Sequence, residues 1–129
     1  MVGMLDQKTK LEQAQMTAQF LKESNAGDVS LIDLTGRSSI ADYFVIGTVS
    51  SFAMLKGLVR NLQEFFSEQD VYTRGSTKHL REDIWTLIDC GHFLVHLMTK
   101  EARDFYALER LWFEGQSIDI DPQDTKQDQ

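Results

Sequence analysis

Asp83-Ile84-Trp85-Thr86-Leu87-Ile88-Asp89-Cys90-Gly91-His92-Phe93-Leu94-Val95-His96-Leu97-Met98-Thr99 is the stretch whose reading decides the fold. Two apolar runs, Ile84–Ile88 and Phe93–Met98, flank a polar tetrapeptide that contains glycine. Runs of this length bounded by Asp and Gly read as two strands joined by a tight turn. Thr99 then offers a side-chain oxygen to cap a helix, and Glu101 places negative charge in its first turn. The segment from Asp83 to Trp112 is therefore strand, turn, strand, helix, and it holds both tryptophans and two of the three histidines.

Upstream, residues 5–23 have Leu11, Ala14, Ala18 and Leu21 on one helical stripe, and Asn25 or Gly27 can take the left-handed turn that stops the helix. Asp28–Leu34 and Ala41–Gly47 read as strands that are apolar on both faces, which places them inside a sheet covered on both sides. Ser50 or Ser51 caps a second helix to about Glu68, with Leu55, Leu58, Val59, Leu62, Phe65 and Phe66 on its buried face. Val71–Thr73 reads as a short strand and Arg74–Asp83 as a polar loop. The order predicts an α/β (α+β) domain over residues 1–115, a mixed sheet of about five strands flanked by helices. Residues 116–129 read as an acidic, disordered tail containing Pro122.

The totals narrow the function. The chain has 129 residues, 42% of them hydrophobic, and a net charge of −7, of which the tail supplies −3. An acidic chain is a poor match for broad phosphate-driven binding of nucleic acid and a good one for a basic protein partner. No run approaches the ~20 apolar residues that span a bilayer, and the start lacks an apolar signal core. A single cysteine, Cys90, leaves no internal disulfide and suits a reducing cytoplasm.

The residues that could carry chemistry do not assemble into a catalytic set. Cys90, His92 and His96 are the types that ligate zinc, but on a strand His92 and His96 lie ~13 Å apart, and ligands of one ion sit ~2 Å from it. Cys90 has His92 nearby but no third group to orient a base. Asp42, after Gly36-Arg37-Ser38-Ser39, faintly resembles a nucleotidyltransferase pattern, yet the position two residues on is Phe44, not a second acid. No metal or cofactor is expected. Arg74, Lys78, His79 and Arg81 make a small basic loop suited to a local contact with RNA phosphates. Trp85, Tyr106 and Trp112 are aromatic residues of the kind that anchor interfaces, and Arg103, Tyr106 and Glu109 recur at a spacing that shares one helical face.

Three stretches taken together resemble the ribosomal silencing factor, or Iojap-like, family: Ser38–Ile46, Trp85–Gly91 with Val95-His96, and Arg103 to Trp112. Their order and spacing match from about Leu11 to Trp112. The resemblance implies a non-enzymatic protein with a nucleotidyltransferase-like topology that lacks the catalytic acids. It implies binding to the large ribosomal subunit through its protein of the L-fourteen family, with local ribosomal RNA contact. The consequence would be a steric block to joining of the small subunit and repression of translation under nutrient limitation. It also implies a homodimer in isolation, and organelle relatives suggest large-subunit assembly as an alternative role. The partner-binding positions carried over are Trp85, Asp89, Gly91, His92, Arg103, Tyr106, Glu109 and Trp112. The sequence departs from the family pattern at Cys90, where Tyr or Leu is usual, and at His92, where Asp is usual.

Overall fold

A computed structural model describes residues 6–75, 78–81, 84–106 and 116–117. Along the chain these form α1 (Gln7–Glu23), β1 (Gly27–Asp33), β2 (Tyr43–Val49), α2 (Phe52–Glu68), β3 (Lys78–Arg81), β4 (Trp85–Asp89), β5 (Phe93–Thr99), α3 (Lys100–Tyr106) and β6 (Gln116–Ser117). The strands make one mixed sheet in the order β3-β4-β5-β2-β1-β6. The quoted stretch is the expected hairpin: β4 and β5 pair antiparallel, with Trp85 opposite Met98 and Leu87 opposite His96. β5 then pairs parallel to β2, Phe93 beside Tyr43 through Thr99 beside Val49.

Alternation along the central strands sorts the core into two layers. Tyr43, Val45, Phe93, Val95 and Leu97 face α1 and α2, against Ala14, Ala18, Leu21, Leu55, Leu62 and Phe66. Phe44, Ile46, Leu94 and Met98 face the other side, with Ile32, Leu34 and Ala102 of α3. The period-2 pattern of β2 and β5 thus dictates helices on both faces. Small residues on the buried stripe of α1 let it lie close to the sheet, while α2 brings Phe65 to stack on Phe20 of α1, ring centroids 4.4 Å apart. The caps are local chemistry: Ser51 Oγ accepts from Met54 N at 3.0 Å and Thr99 Oγ1 from Ala102 N at 3.1 Å. Asn25, with φ of 70°, takes the left-handed turn after α1.

Three expectations need correction. Val71–Thr73 is not a strand; Val71 instead closes the end of α2 through its N–H to the Phe66 carbonyl, 2.8 Å. The outer strand lies at Lys78–Arg81, inside the segment expected to be a loop, where it pairs antiparallel with β4. Its sequence, Lys-His-Leu-Arg, has one apolar residue and so carries no hydrophobic signal, as suits an edge strand. The sheet also runs past the boundary expected at Gly115, because Gln116 and Ser117 pair with Asp33 and Ile32 of β1. Residues 118–129 lie outside the described part. Among the described residues no helix is long and apolar enough to cross a membrane.

Candidate interaction site

The turn between β4 and β5 is tied down from three sides. Asp89 Oδ1 accepts from Gly91 N at 2.8 Å, the Asp89 carbonyl accepts from Arg74 N at 2.7 Å, and Arg74 Nη1 lies 3.8 Å from Asp89 Oδ2. Gly91 has φ of +85°, so the turn requires glycine on conformational grounds, and a Cβ there would only touch the Tyr72 ring at 3.4 Å. The His92 carbonyl accepts from Asp42 N and Tyr43 N, at 2.8 and 3.3 Å, which locks the turn to the start of β2. Two separated stretches, the Ser38–Asp42 loop and the Asp89–His92 turn, thereby become one end of the sheet.

Between them lies an open cleft of about 370 Å³ lined by residues including Lys10, Ser39, Ile40, Asp42, Tyr72 and His92. Lys10 Nζ and Asp42 Oδ2 are 3.7 Å apart across it. Ile40 and Tyr72 are 60% and 48% exposed, an apolar rim on a polar cleft. Burial, then the Lys10 charge, holds His92 below the ordinary imidazole range, opposed by Asp42. Its Nε2 is buried and has no hydrogen-bond partner among the described residues. Cys90, in the same turn, is fully buried; burial and then Asp89 push its thiol well above the ordinary range, which removes the thiolate a nucleophile or metal ligand needs.

Trp85 occupies the opposite layer. It is half-buried, and its Nε1 donates to Nδ1 of His96 at 3.1 Å. His96 is 4% exposed, its ring centroid is 4.6 Å from that of Phe44, and burial lowers its pKa to about 4. His92 and His96 therefore serve different layers and do not converge on one ion, and among the described residues no group of three or more His, Cys, Asp or Glu could hold a metal. Phe44, where a nucleotidyltransferase would need its second acid, is a core residue at 4% exposure.

Arg103 departs from the expected partner-facing role. It is 8% exposed, and its guanidinium donates to the Asp28 carbonyl, to Thr48 Oγ1 at 3.0 Å and to Ser30 Oγ at 2.8 Å. The shared face expected for Arg103, Tyr106 and Glu109 thus begins with a residue turned into the sheet, where it fastens α3 to β1 and β2. Tyr106 is the last described residue of α3, and Glu109 and Trp112 lie outside the described residues. Of the basic loop, Arg74 is engaged by Asp89, while Lys78, His79 and Arg81 are spaced along the edge strand β3.

Of the positions carried over, Asp89, Gly91 and His92 are brought together beside the cleft; Trp85 sits at the far end of β4, and Arg103 is away from the cleft, on the layer of Trp85, where it meets Thr48 in the Thr48–Met98–Trp85 row. The sequence reading missed Lys10, Ile40 and Tyr72, which join the site only through packing. It also missed the role of His96. The hairpin register held that signal, since it sets Trp85 diagonal to His96 across β4 and β5.

A family profile described as "Ribosomal silencing factor during starvation" matches residues 7–129. The chain is 36% identical over 102 residues to "Ribosomal silencing factor RsfS" of Treponema pallidum, covering 77% of this chain and 88% of that one. It is 34% identical over 101 residues to "Mitochondrial assembly of ribosomal large subunit protein 1" of mouse, covering 75% of this chain and 43% of that one. A crystal structure of a Chromobacterium violaceum protein superimposes with a TM-score of 0.69 at 25% identity, covering 81% of this chain and 84% of that one.

Proposed function

The chain belongs to the ribosomal silencing factor family, and from that premise we propose that it binds the large ribosomal subunit through a protein of the L-fourteen family and blocks joining of the small subunit. The action is steric: a domain seated on the joining surface needs no chemistry, and the buried thiol of Cys90 and the core position of Phe44 fit a protein that acts by binding. The observation that carries the reading is the tied turn at Asp89–His92 beside the apolar rim of Ile40 and Tyr72. A surface held in place before binding loses little entropy on association. The net charge of −7 favours encounter with a basic ribosomal protein.

On this reading Gly91, His92, Ile40 and Tyr72 form one part of the contact and Trp85 another, with Tyr106, Glu109 and Trp112 retained from the family resemblance. Asp89 shapes the turn, and Arg103 holds α3. The protein acts in the cytoplasm, is a homodimer when free of the ribosome, and meets ribosomal RNA only locally along β3. The name of the mouse relative supports a second role in assembly of the large subunit.

Sedimentation of the purified protein with isolated subunits tests the proposal. Binding to large subunits with loss of joined ribosomes is the expected result. Tyr72→Ala and Ile40→Asp, both at exposed positions, weaken that binding about tenfold, a cost of ~1.4 kcal/mol, whereas Lys8→Ala leaves it unchanged. Protein left at the top of the gradient refutes the proposal, and binding without loss of joining selects the assembly role.

A further inference from the structure

β5 runs through the middle of the molecule, and from Phe93 to Met98 every residue is buried. His96 is the one polar side chain in that run. An aliphatic residue would fill this place without desolvating an imidazole. The indole N–H of Trp85 can only donate, so the Nδ1 that receives it is the unprotonated nitrogen and the ring proton sits on Nε2. That Nε2 is buried with no partner among the described residues. The one polar contact His96 makes there is the acceptor it offers Trp85.

Trp85 is only half-buried, and its N–H is held by His96. The imidazole is itself held by the Phe44 ring, 4.6 Å between centroids, on the strand beyond. Half-exposed tryptophans with fixed orientation are efficient interface anchors, because little freedom is lost on binding. We infer that His96 is a positioning residue, whose Nδ1 fixes the Trp85 indole as a preset anchor for the ribosomal partner. This role rests on the ribosome-binding reading, and it assigns His96 a task separate from the cleft. The charged and titratable groups on the neighbouring elements are Asp89 of β4, held by Gly91 N and Arg74; Lys78, His79 and Arg81 of β3; Asp28 and Asp33 of β1; and Lys100, Glu101, Asp104 and Arg103 of α3, the last held by β1 and β2. The cause of the lowered pKa of His96 is burial alone.

The test compares His96→Leu, which removes the acceptor at similar volume, with His96→Asn, whose Oδ1 can stand where Nδ1 stood. The full-length, isotope-labelled chain is read by the Trp85 indole N–H resonance and by sedimentation with large subunits. His96→Leu is expected to shift that resonance, to speed its hydrogen exchange at least about tenfold, and to weaken subunit binding about tenfold. His96→Asn restores both. An unmoved indole resonance in a folded His96→Leu chain overturns the inference, as does unchanged subunit binding once the indole contact is lost. If His96→Leu does not fold, acid titration decides: the wild-type indole resonance moves as pH falls towards about 4 and that of His96→Asn does not; identical behaviour of the two overturns the inference. Absence of wild-type binding with the indole contact intact marks failure of the ribosome-binding reading itself and removes the anchor role with it.

Discussion

His96 shows how a single side chain links the core to solution conditions. In the fold it is neutral, with a pKa lowered to about 4 by burial, whereas in the unfolded chain it titrates near ~6.5. Between those values the unfolded chain binds more protons, so stability is full above about pH 6.5 and declines as pH falls through the window. The loss amounts to about 3 kcal/mol by about pH 4. Urea unfolding followed from neutral to acid pH should show this slope in the wild-type chain and a shallower one in His96→Leu. Equal slopes would mean that other groups carry the acid sensitivity. His92 contributes in the same direction, since burial also lowers its pKa. The sequence displayed both histidines but not their surroundings. The separation of the two histidines follows from strand geometry alone, while the bond to Trp85 needed the register of the hairpin.

At the scale of elements, the strongest hydrophobic periods gave the most legible structure. The buried face read for α2 includes Leu55, Leu58, Leu62 and Phe66, all buried in the fold. Gly57 interrupts this helix without a packing reason among the described residues, none of which a Cβ there would meet within 4 Å. Gly57→Ala should therefore stabilise the protein by about 1 kcal/mol, read as a higher urea midpoint with unchanged slope. The opposite case is α3, described over Lys100–Tyr106, whose hold on the sheet its own sequence did not announce. It is fixed by Arg103, whose guanidinium satisfies the Asp28 carbonyl and the hydroxyls of Ser30 and Thr48. Arg103→Met keeps much of the aliphatic stem but strands those groups, and should cost ~2–4 kcal/mol with faster hydrogen exchange in α3. Helical spacing alone made Arg103 look like part of an outward face. Its true orientation depends on where β1 and β2 lie, more than fifty residues earlier in the chain. The edge strand β3 was hidden for a related reason: it owes its existence to pairing with β4, and its own sequence has no apolar alternation to announce it.

The whole molecule is a sheet with helices on both faces, and that much was legible from strands apolar on both sides, as the burial of β2 on both faces bears out. Its outer limit was less legible, because composition changes at Gly115 while pairing does not stop there. Gln116 and Ser117 add β6 to β1 and cover backbone groups near Ile32 and Asp33 that would otherwise form an open edge. A strand of two residues has little side chain to bury, so its contribution is mainly backbone hydrogen bonding, worth ~1 kcal/mol per bond net. Two truncations separate this pairing from any contribution of the acidic residues that follow. A chain ending at Ser117 keeps β6, and a chain ending at Gly115 lacks it. The second should be less stable than the first by ~1–2 kcal/mol, with faster amide exchange in β1 and a greater tendency to associate through the bared edge. Equal stability and exchange in the two chains would show that β1 is secured from β2 alone and that the domain ends where composition first changes.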